Sequence, residues 1–427
     1  MKKFITLLII FLFIHSFCLY ADAVESFEDD PLDMGKKKPF GMQDRAFEIG
    51  LVNLNFNFAN NFLTIKDVFQ DVISIDIDKL SDGFKLNLGL NVTPFYFSFK
   101  SKKGWGFGLT TNMETMGIFG LSGNMLTISK AKEDNSDISG ALFASATVNA
   151  LFDIWKLKFN FNPSFFYTLA YITHSDKSKS GLTYTLDYPN NSTVMCIDYD
   201  ILLYTGFPLD SGAGFSLTSK PGVDFSIGAE YQLAKELGLS KILPFLDFDV
   251  SVNFIHVPLI ASRIKDYTQM TGRFGDDKNP ITLIGGDDNQ DGSDFFSSFE
   301  PPGEPVKGTK EVDVYRPFKM ITRLDWRPLF GARLLTVSPV FGFCVNNLYN
   351  DPFSWELGLN ACLNLANFFM VKVGLNYTDR MYINSLGIAL NLRAFELDLG
   401  ADIRSQDPAQ SWTGGGLGIN FGLKFGW

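Results

Sequence analysis

The chain closes on residues 417–427, "LGINFGLKFGW", in which Leu417, Ile419, Phe421, Leu423, Phe425 and Trp427 are large and apolar while every even position is small or polar. A period of two marks a strand with one apolar face and one wet face. The alternation runs onto the last residue, where chains ordinarily fray. A strand with this ending predicts a partner that holds its terminus.

The same design recurs upstream. Over residues 157–171, Leu157, Phe159, Phe161, Phe165, Tyr167, Leu169 and Tyr171 share one phase, opposite Lys158, Asn160, Asn162, Ser164 and Thr168. Over residues 246–254, Phe248, Val250 and Val252 oppose Asp247, Asp249, Ser251 and Asn253. Further copies cover residues 195–207, 215–231, 357–365, 371–377, 386–392 and 395–403. There are roughly 14 to 16 such segments of about 9 to 16 residues, against the ~9 to 11 that cross a bilayer at a 45° tilt and the ~5 to 6 usual in soluble strands.

The connections alternate between two classes. Short ones are "SKKG" (101–104), "DIWK" (153–156), "PNNS" (189–192), "ANF" (366–368) and "LRA" (392–394); long ones cover 120–137, 173–180, 270–311 and 405–414. With the C-terminus in the periplasm, the short class falls on the periplasmic side, the asymmetry of bacterial barrels. Both termini on one side require an even strand number. The count is 14 if the weak "LTYTLDY" at 182–188 is no full strand, and 16 if "LNFNF" at 54–58 is a first strand. Within residues 84–99 the apolar phase flips from even to odd across Thr93-Pro94. An inserted residue flips the face, so a bulge is predicted there as a register correction.

The predicted fold is therefore all-β, a transmembrane antiparallel β-barrel of about 14 to 16 strands with a small helical N-terminal plug-like segment. Residues 1–23 read as a signal peptide, with Lys2 and Lys3, an apolar run over 4–17 and an Ala21-Asp22-Ala23 end. Residues 24–83 form an N-terminal periplasmic or plug segment, and 84–427 the barrel, with 270–312 a long extracellular loop. In the N-terminal segment, Phe62, Ile65, Phe69 and Ile73 follow helical spacing. That face fits a plug inside the lumen and equally a short periplasmic helix before the barrel.

Composition excludes other classes. The net charge of -10, with basic residues scattered, excludes nucleic acid as a partner. After the signal peptide no apolar run of about 20 residues remains, so no transmembrane helix is expected. Cys196, Cys344 and Cys362 are too far apart in sequence to imply a disulfide framework. Enzyme chemistry is not expected: His174 and His256 are the only histidines after the signal peptide, and His256 continues the apolar phase of Phe254, which places it at the membrane interface.

Two features could carry function. The inward phase bears Asp224, Glu230, Asp247, Asp249, Arg323, Asp325, Arg327, Glu396 and Asp398, with Lys158, Lys319, Glu356, Lys372 and Asp402. Charges on that face must line water or pair with one another, because lipid does not accept them. In the long loop, Asp287, Asn289, Asp291 and Gly292 match the opening of a calcium loop. Its twelfth position is Ser298 rather than a bidentate Glu, so no cofactor is assigned beyond a possible Ca2+ over 287–292. The alternative is a solvated acidic turn.

The terminal strand with Phe421, Leu423, Phe425 and Trp427 resembles the targeting signal of outer-membrane β-barrel proteins, which implies the barrel-assembly machinery and outer-membrane lipid as partners. The length, the helical stretch before the barrel and the strand number are similar to the FadL-like long-chain fatty acid transporters and their TraF-related relatives. That resemblance implies residence in the cell outer membrane and passive uptake of small, hydrophobic molecules through an apolar pocket and a lateral gap near a bulge. Two other functions share the architecture: a general cation-favouring porin using the acidic lumen, and a surface adhesin or structural barrel using the long loop.

Overall fold

The computed structural model describes residues 46–60, 84–101, 104–121, 137–154, 157–174, 182–187, 194–207, 217–231, 247–274, 305–328, 334–348, 352–365, 369–378, 380–392, 394–406 and 415–426, with a few turn positions between them. These form eighteen strands. In chain order they are β1 (Phe47–Asn60), β2 (Phe84–Lys100), β3 (Trp105–Leu121), β4 (Asp137–Ile154), β5 (Leu157–His174), β6 (Leu182–Asp187), β7 (Val194–Thr205), β8 (Gly222–Tyr231) and β9 (Asp247–Ile260). There follow β10 (Ser262–Phe274), β11 (Val306–Val314), β12 (Phe318–Arg327), β13 (Leu335–Val345), β14 (Phe353–Leu365), β15 (Phe369–Thr378), β16 (Met381–Asn391), β17 (Phe395–Ser405) and β18 (Gly416–Gly426).

Fourteen strands close an antiparallel barrel. Their order round the wall is β1, β2, β3, β4, β5, β8, β9, β12 and then β13 to β18, with β18 returning to β1. The seam runs from Glu48↔Gly426 to Ala59↔Gly416. Pairing on both sides leaves β18 no free edge, and this is what keeps the C-terminal strand in place as far as Gly426. Trp427 lies outside the described residues, while Phe425 stacks on Phe395 with ring centroids 5.4 Å apart.

The wall is inside out relative to a soluble protein. Leu386 (57 % exposed), Trp355 (50 %) and Leu359 (49 %) face outward, while Lys319 and Glu396 on the opposite face are each 1 % exposed. Apolar side chains in water over so large a contiguous surface would cost far more than a folded domain can bear. A belt of this kind belongs in lipid, so the barrel spans a membrane by its strands.

Four strands stand apart from the fourteen. β7 pairs with the upper end of β5 (Ala170↔Thr205 to His174↔Ile201), with β6 and with β10, and β10 pairs with β11. They continue the wall beyond the barrel: β7 runs on toward β8, β9 toward β10 and β11 toward β12 along the same paths. The barrel thus has one end holding Phe47 and Gly426, here called the terminal end, and a far end on which this upper sheet stands.

Several expectations are corrected. The wall begins at Phe47 rather than at residue 84, because β1, which contains the 54–58 motif, pairs with β2 and β18. The 182–188 segment supplies only β6, a six-residue strand of the upper sheet. "PNNS" joins β6 to β7 beyond the far end, since Asp187↔Val194 is the last pair before it, so that short connection does not lie on the terminal side. The loop foreseen at 270–312 is narrower, because β10 continues to Phe274 and β11 begins at Val306. Asn60 and Phe84 both lie at the far end, so the segment between them follows the first strand instead of preceding the barrel. Phe62, Ile65, Phe69 and Ile73 themselves lie outside the described residues, as do Asp287, Asn289 and Asp291.

The bulge at Thr93-Pro94 is present: Val92↔Met113 is followed by Phe95↔Thr111, with one residue more on β2. β1 keeps pace with β2 through Asn53↔Thr93 and Gly50↔Tyr96, so the ladder stays closed there.

Candidate functional site: the lumen and a break in its wall

The nine charged residues proposed from the inward phase are distributed in the lower barrel and at its middle. Asp224, Glu230, Asp249, Arg323, Glu396 and Asp398 are buried. Lys158 holds Glu230 at 3.2 Å. Arg327 holds Asp249 at 2.5 Å and Asp247 at 3.3 Å. Asp325 sits directly across from Asp249, a like-charge cross-strand pair that is destabilising alone. Arg323 at 3.3 Å and the Ser338 hydroxyl, donating at 2.7 Å, attend Asp325.

Other ties reach over a glycine to the next strand but one. Lys319 on β12 meets Glu356 on β14 at 4.0 Å, and Lys372 on β15 meets Asp398 on β17 at 3.2 Å. Between the second pair lies Gly387, whose missing side chain leaves the passage clear. Across the lumen, Asn420, Asn55 and Asn91 form one cross-strand row of amides that ends on Glu114 of β3. The charges of the lower barrel are thus consumed in pairing. Replacing Arg327 by Met should lower barrel stability by about 3–5 kcal/mol, because two carboxylates lose their cation. The temperature at which the folded band is lost on a heat-modifiability gel measures it, and adding Asp249→Asn should recover most of the loss.

At the far end the interior changes character. Ala141 and Phe143 of β4, Phe166 of β5, Leu202 and Tyr204 of β7, Ile264 of β10 and Val314 of β11 form one buried cluster with Leu348 from the turn after β13. Phe143 and Phe166 meet edge to face at 5.8 Å, and Tyr204 contacts Tyr171 and Tyr267. Gly222 opens β8 here because an added Cβ would lie 2.4 Å from the Phe166 ring. Ser139 of β4 donates to the Leu348 carbonyl and ties that turn across the mouth.

Beside this packed apolar cluster the wall is broken. The β9–β12 ladder stops at Ile255↔Lys319, and the β10–β11 ladder resumes at Ser262↔Val314. On that side residues 256–261 face 315–318 without a ladder, while Val257, Pro258 and Ile260 stay paired with β8 on the other. The cause is local: Pro258 and Pro317 cannot donate to a ladder, and His256 adopts φ +52°, outside the strand region. His256 consequently leaves the outward phase of Phe254, a correction to its expected place at the lipid interface. Its Nδ1 lies 3.2 Å from the Pro317 carbonyl, across the break. Outside, the break is rimmed by Leu259 (61 % exposed), Ile260 (58 %) and Tyr315 (38 %).

Inside, the break is filled by Arg316. Its Nε donates to Asp224 at 2.7 Å and its Nη2 to the other Asp224 oxygen at 2.6 Å, a bidentate pair. Nη2 also donates to Ser164 Oγ at 2.8 Å, Nη1 to Glu114 at 3.1 Å, and the guanidinium lies 5.0 Å from the centre of the Phe166 ring. Neither Arg316 nor Glu114 was singled out from sequence. Arg316 lies in "VYRPF", where Pro317 interrupts the alternation, and that interruption was the available signal.

The fold and the lumen define a membrane-spanning β-barrel with a polar, ion-paired interior and one lateral break. No family model matches the chain, and no curated protein matches it. Among solved structures the chain is similar to the CymD monoaromatic hydrocarbon channel, with 8% identity over 96% of this chain and 94% of that one and a TM-score of 0.49. It is also similar to the P. putida toluene transporter TodX, with 8% identity over 89% of each chain and a TM-score of 0.44. A third is the translocator domain of the autotransporter NalP from Neisseria meningitidis, with 7% identity over 90% of each chain and a TM-score of 0.34. At these values the fold rests on the strand pairing above, and function rests on the site.

Proposed function

We propose that this chain is an outer-membrane channel for the passive uptake of small apolar molecules. One observation carries the reading: a packed apolar cluster sits at the far end, directly above an ionic floor and directly beside a break in the wall. A solute that parts the packing of Phe143, Phe166, Tyr204 and Ile264 meets buried charge if it continues down the lumen. It meets Leu259, Ile260 and lipid if it turns sideways. Passage from this cluster to the bilayer keeps apolar surface out of water.

In this reading the far end faces the exterior and the terminal end the periplasm, with Phe421, Leu423, Phe425 and Trp427 presented to the assembly machinery before the seam closes. A cation-favouring porin is less well supported, because the inward carboxylates are held by Lys and Arg. A surface-contact role draws support from the upper sheet of β6, β7, β10 and β11, which stands clear of the barrel.

The test is flux in reconstituted vesicles. An apolar dye such as N-phenyl-1-naphthylamine should enter protein-containing vesicles faster than protein-free ones, while a neutral pentose should show no comparable acceleration. Rapid pentose entry with no dye effect would replace this reading by the porin.

A further inference from the structure

Arg316 differs from the other interior cations in how far it reaches. The ion pairs of the lower barrel described above join residues on one strand, on neighbouring strands, or on strands one removed. Arg316, at the head of β12, binds Glu114 on β3, and the path between them round the wall crosses β4, β5, β8 and β9. In a barrel of fourteen strands that is more than a third of the circumference, so the contact spans most of the lumen's width. Arg316 and Glu114 are 5 % and 4 % exposed, and Asp224 and Ser164 each 2 %. The crossing is therefore dry and closed.

We propose that Arg316 is the residue that sets which solutes pass. Held between Asp224 and Glu114, it seals the lumen below the apolar cluster to ions and polar solutes. On its upper side the cation lies against the Phe166 ring, the lowest contact of the apolar cluster that an apolar solute must part to reach the break. The same backbone that carries Arg316, residues 315–317, forms one side of that break. One side chain thus closes the polar route and leaves the lateral one.

This rests on the apolar-uptake reading, and the experiment separates the two. Arg316→Met alone would leave two buried carboxylates without their cation and could impair folding. The triple variant Arg316→Met, Glu114→Gln, Asp224→Asn removes all three charges together, and heat-modifiability verifies its folding. The exposed Arg263→Gln, on the outer face of β10, serves as control. Potassium chloride conductance in planar bilayers and N-phenyl-1-naphthylamine entry into vesicles are read on each protein.

Conductance through the triple variant should rise about tenfold or more over wild type, because removing charge-assisted hydrogen bonds that hold the closed state shifts the balance toward open by at least that factor. Dye entry should persist, and Arg263→Gln should match wild type in both. Arg316→Lys keeps the charge without the planar fork and should conduct at an intermediate level. A folded triple variant that conducts no more than wild type overturns the proposal, whatever the dye does. Raised conductance with no dye entry in any protein supports the seal and removes the apolar-uptake reading instead.

Discussion

Leu386→Arg should destabilise the barrel by about 2–4 kcal/mol and lower its refolding yield. Leu386 is the midpoint of β16 and is 57 % exposed, paired across to Val373 on one side and Ala401 on the other. In water, an Arg at so exposed a position would be neutral or would improve solubility. At the middle of a bilayer it costs about 2–4 kcal/mol, and the neighbouring outward residues offer it no counter-charge. Against a typical domain stability of about 5–15 kcal/mol that is a large fraction. The measurement is the yield of heat-modifiable protein after refolding into detergent or lipid, together with its urea midpoint. Leu386→Ala should lose far less. If Leu386→Arg refolds with the wild-type midpoint, the outward face is not in lipid and the membrane assignment fails with it.

The membrane face was legible because alternation in a barrel wall is a one-dimensional property. Leu417 to Phe425 and Phe159 to Tyr171 state which side is apolar without reference to any neighbour. The start of the wall was not legible in the same way. β1 carries a bulge between Gly50 and Val52, so its apolar phase is interrupted and only residues 54–58 looked like a strand. The strand order of the far end was hidden for a different reason. β9 and β10 run almost without interruption from Asp247 to Phe274, yet their partners change from β12 and β8 to β11 and β7 at Ala261. Period-two patterns fix a face and leave the partner open.

The site was legible only where it obeyed the pattern. Asp249, Arg327 and Asp398 occupy regular inward positions and were found. Glu114 lies on a strand whose alternation is blurred by small and hydroxylated residues, and Arg316 and His256 sit where the backbone leaves the strand. Breaks of this kind violate the alternation that marks the strands. The prolines at 258 and 317 were the readable trace, one on each side of the gap.

The lateral route makes its own demand. Changing Leu259 and Ile260 together to Lys should reduce entry of an apolar dye by about tenfold or more, since each places a charged head on the proposed path from the apolar cluster to lipid. Stability should change little. Both residues are more than half exposed at the far edge of β9, above the last β9–β12 pair, and Lys near the interface costs only about 0–1 kcal/mol. Their long stems also allow the ammonium groups to reach headgroup level. Potassium chloride conductance should be unaffected, because neither residue touches the Arg316 seal. The combination of normal folding, unchanged conductance and lost dye entry is specific to exit through the wall. Unchanged dye entry in the folded double variant would instead place the apolar path down the axis, and the break between β9 and β12 would then be a structural kink that turns the upper sheet over the mouth.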